Sequence, residues 1–271
     1  MHKMHTRQTS ERLDQLLIGM GLAESPGKAQ RLILAGEVRV NGQVASKPGY
    51  KFPCDSKIEV AARPRFVGRG GDKLQAAFET FNISVAGLFC LDAGASTGGF
   101  TDCMLQHGAA GVYAADVGKG LIHMKLRNDP RVTVMDEINA RNLRSSMFQH
   151  PVSFATIDVS FISLTRILPA VTQVLVRGGH IVSLIKPQFE ADRRDVERGG
   201  VVRDQSVRAR AVESVRFFGI NNLGLAWLGC CESPLKGPAG NVEFLAYWQK
   251  KVENRGQESE ARDQKTENRG K

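Results

Sequence analysis

Short apolar runs that alternate with helical patterns constrain the fold of this chain more than any other feature of its sequence. Five such runs follow residue 71, at positions 88–91, 111–115, 132–135, 154–157 and 181–185. The clearest helical patterns among them cover residues 163–176 and 206–218. Apolar strands separated by helices are typical of a mostly parallel sheet with helices on both faces. Two later runs, 225–229 and 242–247, complete a predicted seven-stranded sheet in an α/β domain.

The first sixty residues follow a different pattern, with two short helices and a hairpin. A first helix is predicted over residues 11–20. In a second helix, Ser25 is the expected N-cap, Pro26 occupies the first turn and Gly36 ends the helix. The Asn41-Gly42 pair within the alternating segment 38–44 is typical of a tight β-hairpin, and residues 58–60 form a further predicted strand. The chain is therefore expected to begin with a small α+β domain.

Positive charge is concentrated in this N-terminal region. The whole chain has 37 Lys and Arg against 28 Asp and Glu, a formal net charge of +9. Residues 1–70 contain 12 of the basic and 6 of the acidic side chains, whereas residues 71–249 contain 18 and 17. Such a distribution favours a polyanionic partner.

Composition argues against several other classes of protein. With 42% hydrophobic and 24% charged residues, the chain is not expected to be disordered throughout. No run approaches the roughly 18 apolar residues of a membrane span, and the charged N-terminus does not resemble a secretory signal. The five cysteines form no CxxC pair, so neither a disulfide framework nor a zinc site is expected. This use of cysteine fits a protein of the reducing cytoplasm. Residues 250–271, which are almost without apolar side chains, are a predicted disordered tail.

The N-terminal region resembles the small RNA-binding domain of the ribosomal protein S4 type. The resemblance covers residues 7–60 and is carried by Arg12-Leu13-Asp14, Ser25, Ala29, Ile33 and the segment from Gly36 through Val40-Asn41-Gly42. In such domains the two helices and the hairpin present basic residues to structured RNA. The resemblance therefore implies RNA contacts from Arg12, Lys28, Arg31, Arg39 and Lys47. Residues 61–66 form a predicted basic linker.

The sharpest motif of the larger domain is a glycine-rich segment directly after its first apolar run. It reads Asp92-Ala93-Gly94-Ala95-Ser96-Thr97-Gly98-Gly99-Phe100. Glycine at a strand-to-helix turn lets the backbone approach a ligand closely, although a tight turn without a ligand would have a similar sequence. Asp116 follows the second run, where a carboxylate can bind ribose hydroxyls, and Asp136 follows the third.

Two cofactors compete for a loop of this kind, a nicotinamide dinucleotide and S-adenosylmethionine. A dinucleotide would place its pyrophosphate at the helix N-terminus, where Asp92 at the start of the loop would repel it. S-adenosylmethionine has no phosphate, and its ammonium and sulfonium groups are attracted by nearby carboxylates. Asp92 therefore favours S-adenosylmethionine.

Four further ionisable residues are expected to meet at the same edge of the sheet. Lys73 precedes the first run, Asp158 and Lys186 follow the fourth and fifth, and Glu243 lies at the start of the last predicted strand. Ligands of open α/β sheets bind at the carboxyl ends of the parallel strands, and an antiparallel last strand would begin at that edge. Taken singly, a lysine or aspartate at a strand end is usually a solvated loop residue; together the four predict a polar cluster beside the cofactor loop.

With the glycine-rich segment, this cluster resembles the Lys-Asp-Lys-Glu tetrad of the FtsJ-like ribose 2′-O-methyltransferases. With the N-terminal domain included, the chain is identified over residues 7–248 as a member of the TlyA family, once labelled haemolysin. The resemblance implies a seven-stranded Rossmann-like methyltransferase domain at 67–249 that uses S-adenosylmethionine. It implies methylation of the 2′-hydroxyl of cytidines in ribosomal RNA within ribosomal subunits, with catalytic roles for the tetrad. The implied cofactor contacts are Asp92, Gly94, Ala95, Ser96, Gly98, Gly99, Phe100, Asp116, Val117 and Asp136.

Lys186 is the candidate for activating the ribose hydroxyl. It would act as a general base if neutral and as an electrostatic stabiliser if charged, and no metal is expected because the sulfonium is already an activated leaving group. Two other classes stay open as alternatives. One is a non-catalytic RNA-binding assembly factor, whose cofactor loop would be expected to have decayed. The other is a membrane-lysing protein, for which the sequence lacks a strongly amphipathic, apolar and basic segment. No obligate protein partner and no membrane contact are expected.

Overall fold

The computed structural model describes residues 9–60 and 64–252, and the chain divides into two compact units, residues 1–64 and 65–271. In the first unit two helices, α1 (Leu13–Gly19) and α2 (Pro26–Leu34), pack against each other. Five short strands accompany them: β1 (Ser10–Arg12), β2 (Val38–Val40), β3 (Gln43–Val44), β4 (Lys51–Pro53) and β5 (Ile58–Val60). They form a sheet of order β3-β2-β5 and a separate pair, β1-β4.

Interactions between residues close in sequence explain the start of α2 and the hairpin of the first unit. The Ser25 hydroxyl accepts a hydrogen bond from the backbone N–H of Lys28 at 3.3 Å, and Pro26 begins α2, so the predicted cap is confirmed. Asn41 and Gly42 have positive φ values of 51° and 83°, which form the predicted hairpin turn between β2 and β3. The prediction of a helix from residue 11 is wrong, since Ser10–Arg12 is extended and pairs with β4.

The second unit contains the predicted seven-stranded sheet. Its strands are β6 (Phe89–Ala93), β7 (Gly111–Ala115), β8 (Val132–Met135), β9 (Val152–Ile157), β10 (Leu175–Ile185), β11 (Leu225–Glu232) and β12 (Phe244–Lys250). Their order across the sheet is β11-β12-β10-β9-β6-β7-β8. Strands β6 to β10 run parallel, while β12 pairs antiparallel with both β10 and β11. The carboxyl ends of five strands and the beginning of β12 therefore share one edge.

Helices cover the two faces of this sheet. They are α3 (Gly70–Phe81), α4 (Gly99–Gln106), α5 (Met124–Arg127), α6 (Leu168–Val174), α7 (Pro187–Glu190) and α8 (Gln205–Leu223). Side chains alternate between two apolar cores, with Leu91 and Ala155 in one, and Cys90 and Phe154 in the other. No helix in residues 9–60 and 64–252 is long and apolar enough to cross a membrane.

Several predicted bounds differ from the structure. The helix expected over 163–176 is a 3₁₀ turn, Leu164–Arg166, followed by α6, because Pro169 fixes the beginning of the α-helix and strand β10 already begins at Leu175. The last strand begins at Phe244, so Glu243 directly precedes it. Lys250 ends β12 and so does not belong to a tail. Residues 61–63 of the predicted linker and 253–271 of the predicted tail lie outside the described residues.

Candidate active site

The glycine-rich loop between β6 and α4 has several positive φ values, a conformation that glycine adopts more easily than other residues. Gly94, Ser96 and Gly98 have positive φ values of 90°, 49° and 95°. A Cβ atom on Gly94 would collide with the carbonyl oxygen of Asp158, and one on Gly98 would collide with the Leu126 side chain. Glycine therefore lets the loop pack directly against the end of β9 at position 94 and against α5 at position 98.

The sequence suggested that Asp92 begins this loop. In the structure Asp92 instead lies within β6 and is completely buried. Its carboxylate accepts hydrogen bonds from the hydroxyls of Thr101 at 2.7 Å and Thr156 at 3.0 Å. Burial raises the pKa of Asp92 from 3.8 to about 6, against the opposing effect of these hydrogen bonds. Asp92 therefore connects β6 to α4 and β9 behind the loop, and does not line a cavity.

A cleft of about 400 Å³ lies beside the loop at the carboxyl edge of the sheet. Gly94, Ser96, Asp116 and Val117 of the predicted cofactor residues line it, together with Asp158. Asp116 accepts hydrogen bonds from the backbone N–H groups of Ser96 and Gly118, both at 2.8 Å. Each of its carboxylate oxygens keeps a lone pair for a ligand. The acidic character of the cleft thus comes from Asp116 and Asp158.

The other predicted cofactor residues lie around the cleft. Ala95 and Phe100 are 5% and 3% exposed and belong to the core under the loop, and Gly98 and Gly99 form the turn into α4. Asp136 does not line the cleft and forms an ion pair with Arg127 at 3.1 Å.

Sequence reasoning missed several residues that line the cleft. These are Ala115, Leu121, Ile138, Asn139, Ala140, Val159, Ser160, Phe161, Ile162 and Ile167. Most of them follow the carboxyl ends of β8 and β9, so the topological argument that singled out Asp116 and Asp158 could have included their neighbours.

The four predicted tetrad residues converge as two buried ion pairs. Lys73 Nζ on α3 lies 2.5 Å from Glu243 Oε2, and Lys186 Nζ lies 2.6 Å from Asp158 Oδ1. The side chains of Lys73, Glu243 and Lys186 are 11%, 1% and 9% exposed, and that of Asp158 is 23% exposed. Removing one partner of such a pair would leave a charge without compensation, so each pair holds its members in place.

All four members of this tetrad line one cavity of about 310 Å³, together with Arg69 and Lys236. The tetrad cavity and the cleft share Gly94, Ser96, Asp158 and Ser160 as lining residues. A ligand in the cleft and a second molecule in the tetrad cavity would therefore meet at these residues. Within residues 9–60 and 64–252, no cluster of three or more His, Cys, Asp or Glu side chains is arranged to hold a metal ion.

The basic residues of the first unit differ in their surroundings. Arg31, Arg39 and Lys47 are exposed and Lys28 is half-buried, and Lys47 lies 5.2 Å from the centre of the Tyr50 ring. Arg12, in contrast, donates hydrogen bonds to both oxygens of the buried Asp14, at 3.0 and 2.7 Å. These bonds hold the pKa of the Asp14 carboxyl group below its usual value. Arg12 is therefore part of the structural framework of α1.

Comparison with known proteins agrees with this architecture. The FtsJ-like methyltransferase family matches residues 66–250, and the S4 domain family matches residues 11–53. A Brachyspira hyodysenteriae protein named Hemolysin A is 44% identical over 238 residues, which cover 88% of this chain and 99% of that protein. A Mycobacterium tuberculosis protein named 16S/23S rRNA (cytidine-2′-O)-methyltransferase TlyA is 45% identical over 238 residues, which cover 87% and 88%.

A solved structure from Streptococcus thermophilus that carries a hemolysin name is similar along nearly the whole length of both chains. Its TM-score is 0.70 at 40% sequence identity, with 97% of this chain and 100% of that chain covered. The predicted α/β fold with an N-terminal S4 domain is confirmed. The chain belongs to the FtsJ-like methyltransferase family and, within it, to the group that contains TlyA and hemolysin A.

Proposed function

We propose that this protein transfers a methyl group from S-adenosylmethionine to the 2′-hydroxyl of cytidine in ribosomal RNA. The observation that carries the proposal is the pair of lysine–carboxylate contacts, Lys73–Glu243 and Lys186–Asp158, beside a cleft of ligand size. The name of the Mycobacterium tuberculosis relative supports the RNA, the nucleoside and the position of the methyl group, with 16S and 23S rRNA both as candidate substrates. Such a substrate implies that the protein acts in the cytoplasm.

The residues of the cleft fit S-adenosylmethionine. A volume of about 400 Å³ lies within the range of roughly 300–1,000 Å³ that is typical of small-molecule sites. Asp116 follows the second strand of the parallel sheet, where a carboxylate can accept hydrogen bonds from ribose hydroxyls. Leu121 and Ile138 provide apolar surface, and the carboxylate of Asp158 would attract a cationic ligand. A pyrophosphate would meet these same carboxylates and be repelled.

The bound cofactor would supply a methyl group on a positively charged sulfur, which needs no further activation. What the protein has to provide is alignment and stabilisation of the ribose oxygen as it attacks. Lys186 donates hydrogen bonds to Asp158 and Ser160, and an ammonium group has a third proton. An ammonium group held in this geometry would stabilise negative charge that develops on the 2′-oxygen. Glu243 would hold Lys73 in a comparable orientation.

The S4 domain supports binding to structured RNA. Arg31, Arg39 and Lys47 are exposed and can contact phosphates, and RNA helices are recognised largely through shape and backbone. We assign these side chains, with Lys28, to recognition and the tetrad to chemistry. Arg12 is the one predicted RNA contact whose guanidinium is already committed to a buried carboxylate.

The proposal is tested by mapping the product. Purified small and large ribosomal subunits that lack the modification are incubated with the full-length protein and labelled S-adenosylmethionine, and the RNA nucleosides are analysed by mass spectrometry. We expect 2′-O-methylcytidine, and much slower formation of it with a Lys186→Met variant that still binds the cofactor in calorimetry. A methyl group on a base, or no transfer to RNA by the wild-type protein, would contradict the proposal.

A further inference from the structure

Ser160 lies at the point where three cavities meet. It lines the cleft, the tetrad cavity and a third cavity of about 270 Å³, which is bordered by Phe161, Gln188 and Phe189. Among the described residues of the second unit, Ser160 is the polar residue that borders all three. Its side chain is exposed, so that molecules in any of these cavities can reach it.

The hydrogen bond from Lys186 determines what the Ser160 hydroxyl can do. Lys186 Nζ lies 2.9 Å from Ser160 Oγ, and an ammonium group can only donate. The serine oxygen therefore accepts this bond, and its own proton has to be donated to another group. No acceptor for that proton is found in the part of the chain that the structure describes, which leaves the O–H free to bind a ligand in one of the cavities.

The segment that carries Ser160 is fixed at both ends. At its beginning the backbone N–H of Asp158 donates to the carbonyl of Ala93 at 3.0 Å. At its end Glu190 on α7 accepts hydrogen bonds from the Ser163 hydroxyl at 2.6 Å and from the Leu164 N–H at 2.8 Å. A short bond to a carboxylate is among the stronger hydrogen bonds in proteins. The backbone segment that carries Ser160 is thus anchored on both sides before a substrate binds.

We propose that Ser160 is a further substrate-contacting residue beside the tetrad, which donates its hydroxyl proton to an oxygen of the target ribose. In this arrangement Lys186 holds the serine oxygen on one side, and the sugar binds on the other. The contact would fix the rotation of the ribose so that its 2′-oxygen faces both Lys186 and the cleft. This inference rests on the proposed function, because it assigns a contact within the same reaction.

The test compares Ser160→Ala with Ser160→Thr, which keeps the hydroxyl. Methyl transfer to ribosomal subunits is measured under steady-state conditions, and S-adenosylmethionine binding is measured by calorimetry. We expect Ser160→Ala to lower kcat by roughly 10- to 100-fold, the scale of a misaligned reacting group, with KM for the subunits and cofactor affinity close to wild type. Ser160→Thr is expected to recover most of this decrease in kcat. Ser146→Ala, an exposed serine in the connection that precedes β9, serves as the control.

Each other outcome decides against the inference. An unchanged kcat in Ser160→Ala would show that the hydroxyl does not contact the reacting sugar. Equal decreases in the Ala and Thr variants would assign Ser160 to loop packing, and a weakened cofactor affinity would assign its proton to the cofactor. If the wild-type protein transfers no methyl group to either subunit, the proposed function fails, and this inference with it.

Discussion

The candidate functional cations of the two units lie in opposite surroundings. In the S4 unit Arg31 and Arg39 are exposed to solvent. In the methyltransferase unit Lys73 and Lys186 are almost completely buried, each within 2.6 Å of a carboxylate oxygen. Exposed cations can neutralise phosphates and are screened by salt, whereas buried pairs are screened little and hold a fixed geometry. In the proposed function this difference separates recognition from chemistry.

Arg12 shows that this division does not follow net charge alone. It belongs to the basic unit, yet its guanidinium binds both oxygens of Asp14, which is 1% exposed. Likewise Lys250 belongs to the methyltransferase unit, but it donates to the carbonyl oxygens of Thr172 and Leu175 at the edge opposite the tetrad. The role of each cation is thus indicated by the group that it binds more than by the unit to which it belongs. Arg12 and Lys250 serve as controls in the predictions that follow.

The largest effect is expected from Lys186→Met, which keeps the length of the side chain and removes its charge. Methyl transfer should fall by roughly 10²- to 10⁴-fold, because the developing charge on the ribose oxygen is no longer stabilised by the ammonium group. Calorimetry should show nearly unchanged S-adenosylmethionine binding. Lys250→Met makes the same substitution on the same sheet and should retain turnover while thermal stability falls. Near-normal turnover of Lys186→Met would remove Lys186 from the mechanism.

The next largest effect is expected in RNA binding when Lys28, Arg31 and Arg39 are all replaced by Ala. Affinity for ribosomal subunits should fall, and its logarithmic dependence on salt should flatten by roughly 0.7–0.9 for each phosphate that the variant no longer neutralises. Filter binding across a salt series measures both quantities. Arg12→Ala, by comparison, should lower the melting temperature more than it changes the salt dependence. A wild-type salt dependence in the triple variant would place the RNA-binding surface elsewhere.

A smaller effect is expected from Asp116→Asn on cofactor binding. The variant has no charged hydrogen-bond acceptor at this position, which should weaken S-adenosylmethionine binding by roughly 10- to 100-fold. Asp136→Asn, whose carboxylate binds Arg127 and does not line the cleft, should bind the cofactor nearly as well as wild type. Calorimetry distinguishes the two. Equal weakening in the two variants would contradict a specific contact between Asp116 and the cofactor.

The last effect concerns stability instead of activity, and it depends on Asp92. Because its folded-state pKa is raised from 3.8 to about 6, the folded protein binds more protons than the unfolded chain between these pH values. The contribution of Asp92 to stability is therefore retained below pH 3.8 and is lost progressively as pH rises to about 6, by up to about 3 kcal/mol. Urea unfolding of Asp92→Asn against wild type from pH 4 to 7.5 isolates this difference. If the difference does not change with pH, Asp92 has an ordinary pKa.

Much of the fold could be predicted because it depends on local patterns. Apolar runs separated by helices predicted all seven strands of the large sheet, and the Asn41-Gly42 pair predicted the hairpin of the first unit. The errors occurred where a tertiary contact decided the outcome. Pairing with β4 extends residues 10–12 into a strand, and pairing with β9 draws Leu175 into β10.

The candidate site could be predicted less completely. Asp116, Asp158 and Lys186 follow from topology, because the ends of parallel strands share one edge. Glu243 reaches that edge because it precedes the antiparallel β12, and Lys73 reaches it from α3. The burial of Asp92 depends on Thr101 and Thr156, and the position of Ser160 depends on Lys186, which are contacts between distant parts of the chain. Such contacts leave no periodic signal in a single sequence.

The most direct test of the division between recognition and chemistry is a single-turnover methylation assay at low salt with saturating enzyme. Under these conditions weak RNA binding no longer limits the rate. The triple variant of Lys28, Arg31 and Arg39 should then methylate ribosomal RNA at the wild-type rate, while Lys186→Met should stay slow at every enzyme concentration. A triple variant that remains as slow as Lys186→Met would contradict the account, because the S4 unit would then take part in the chemical step itself.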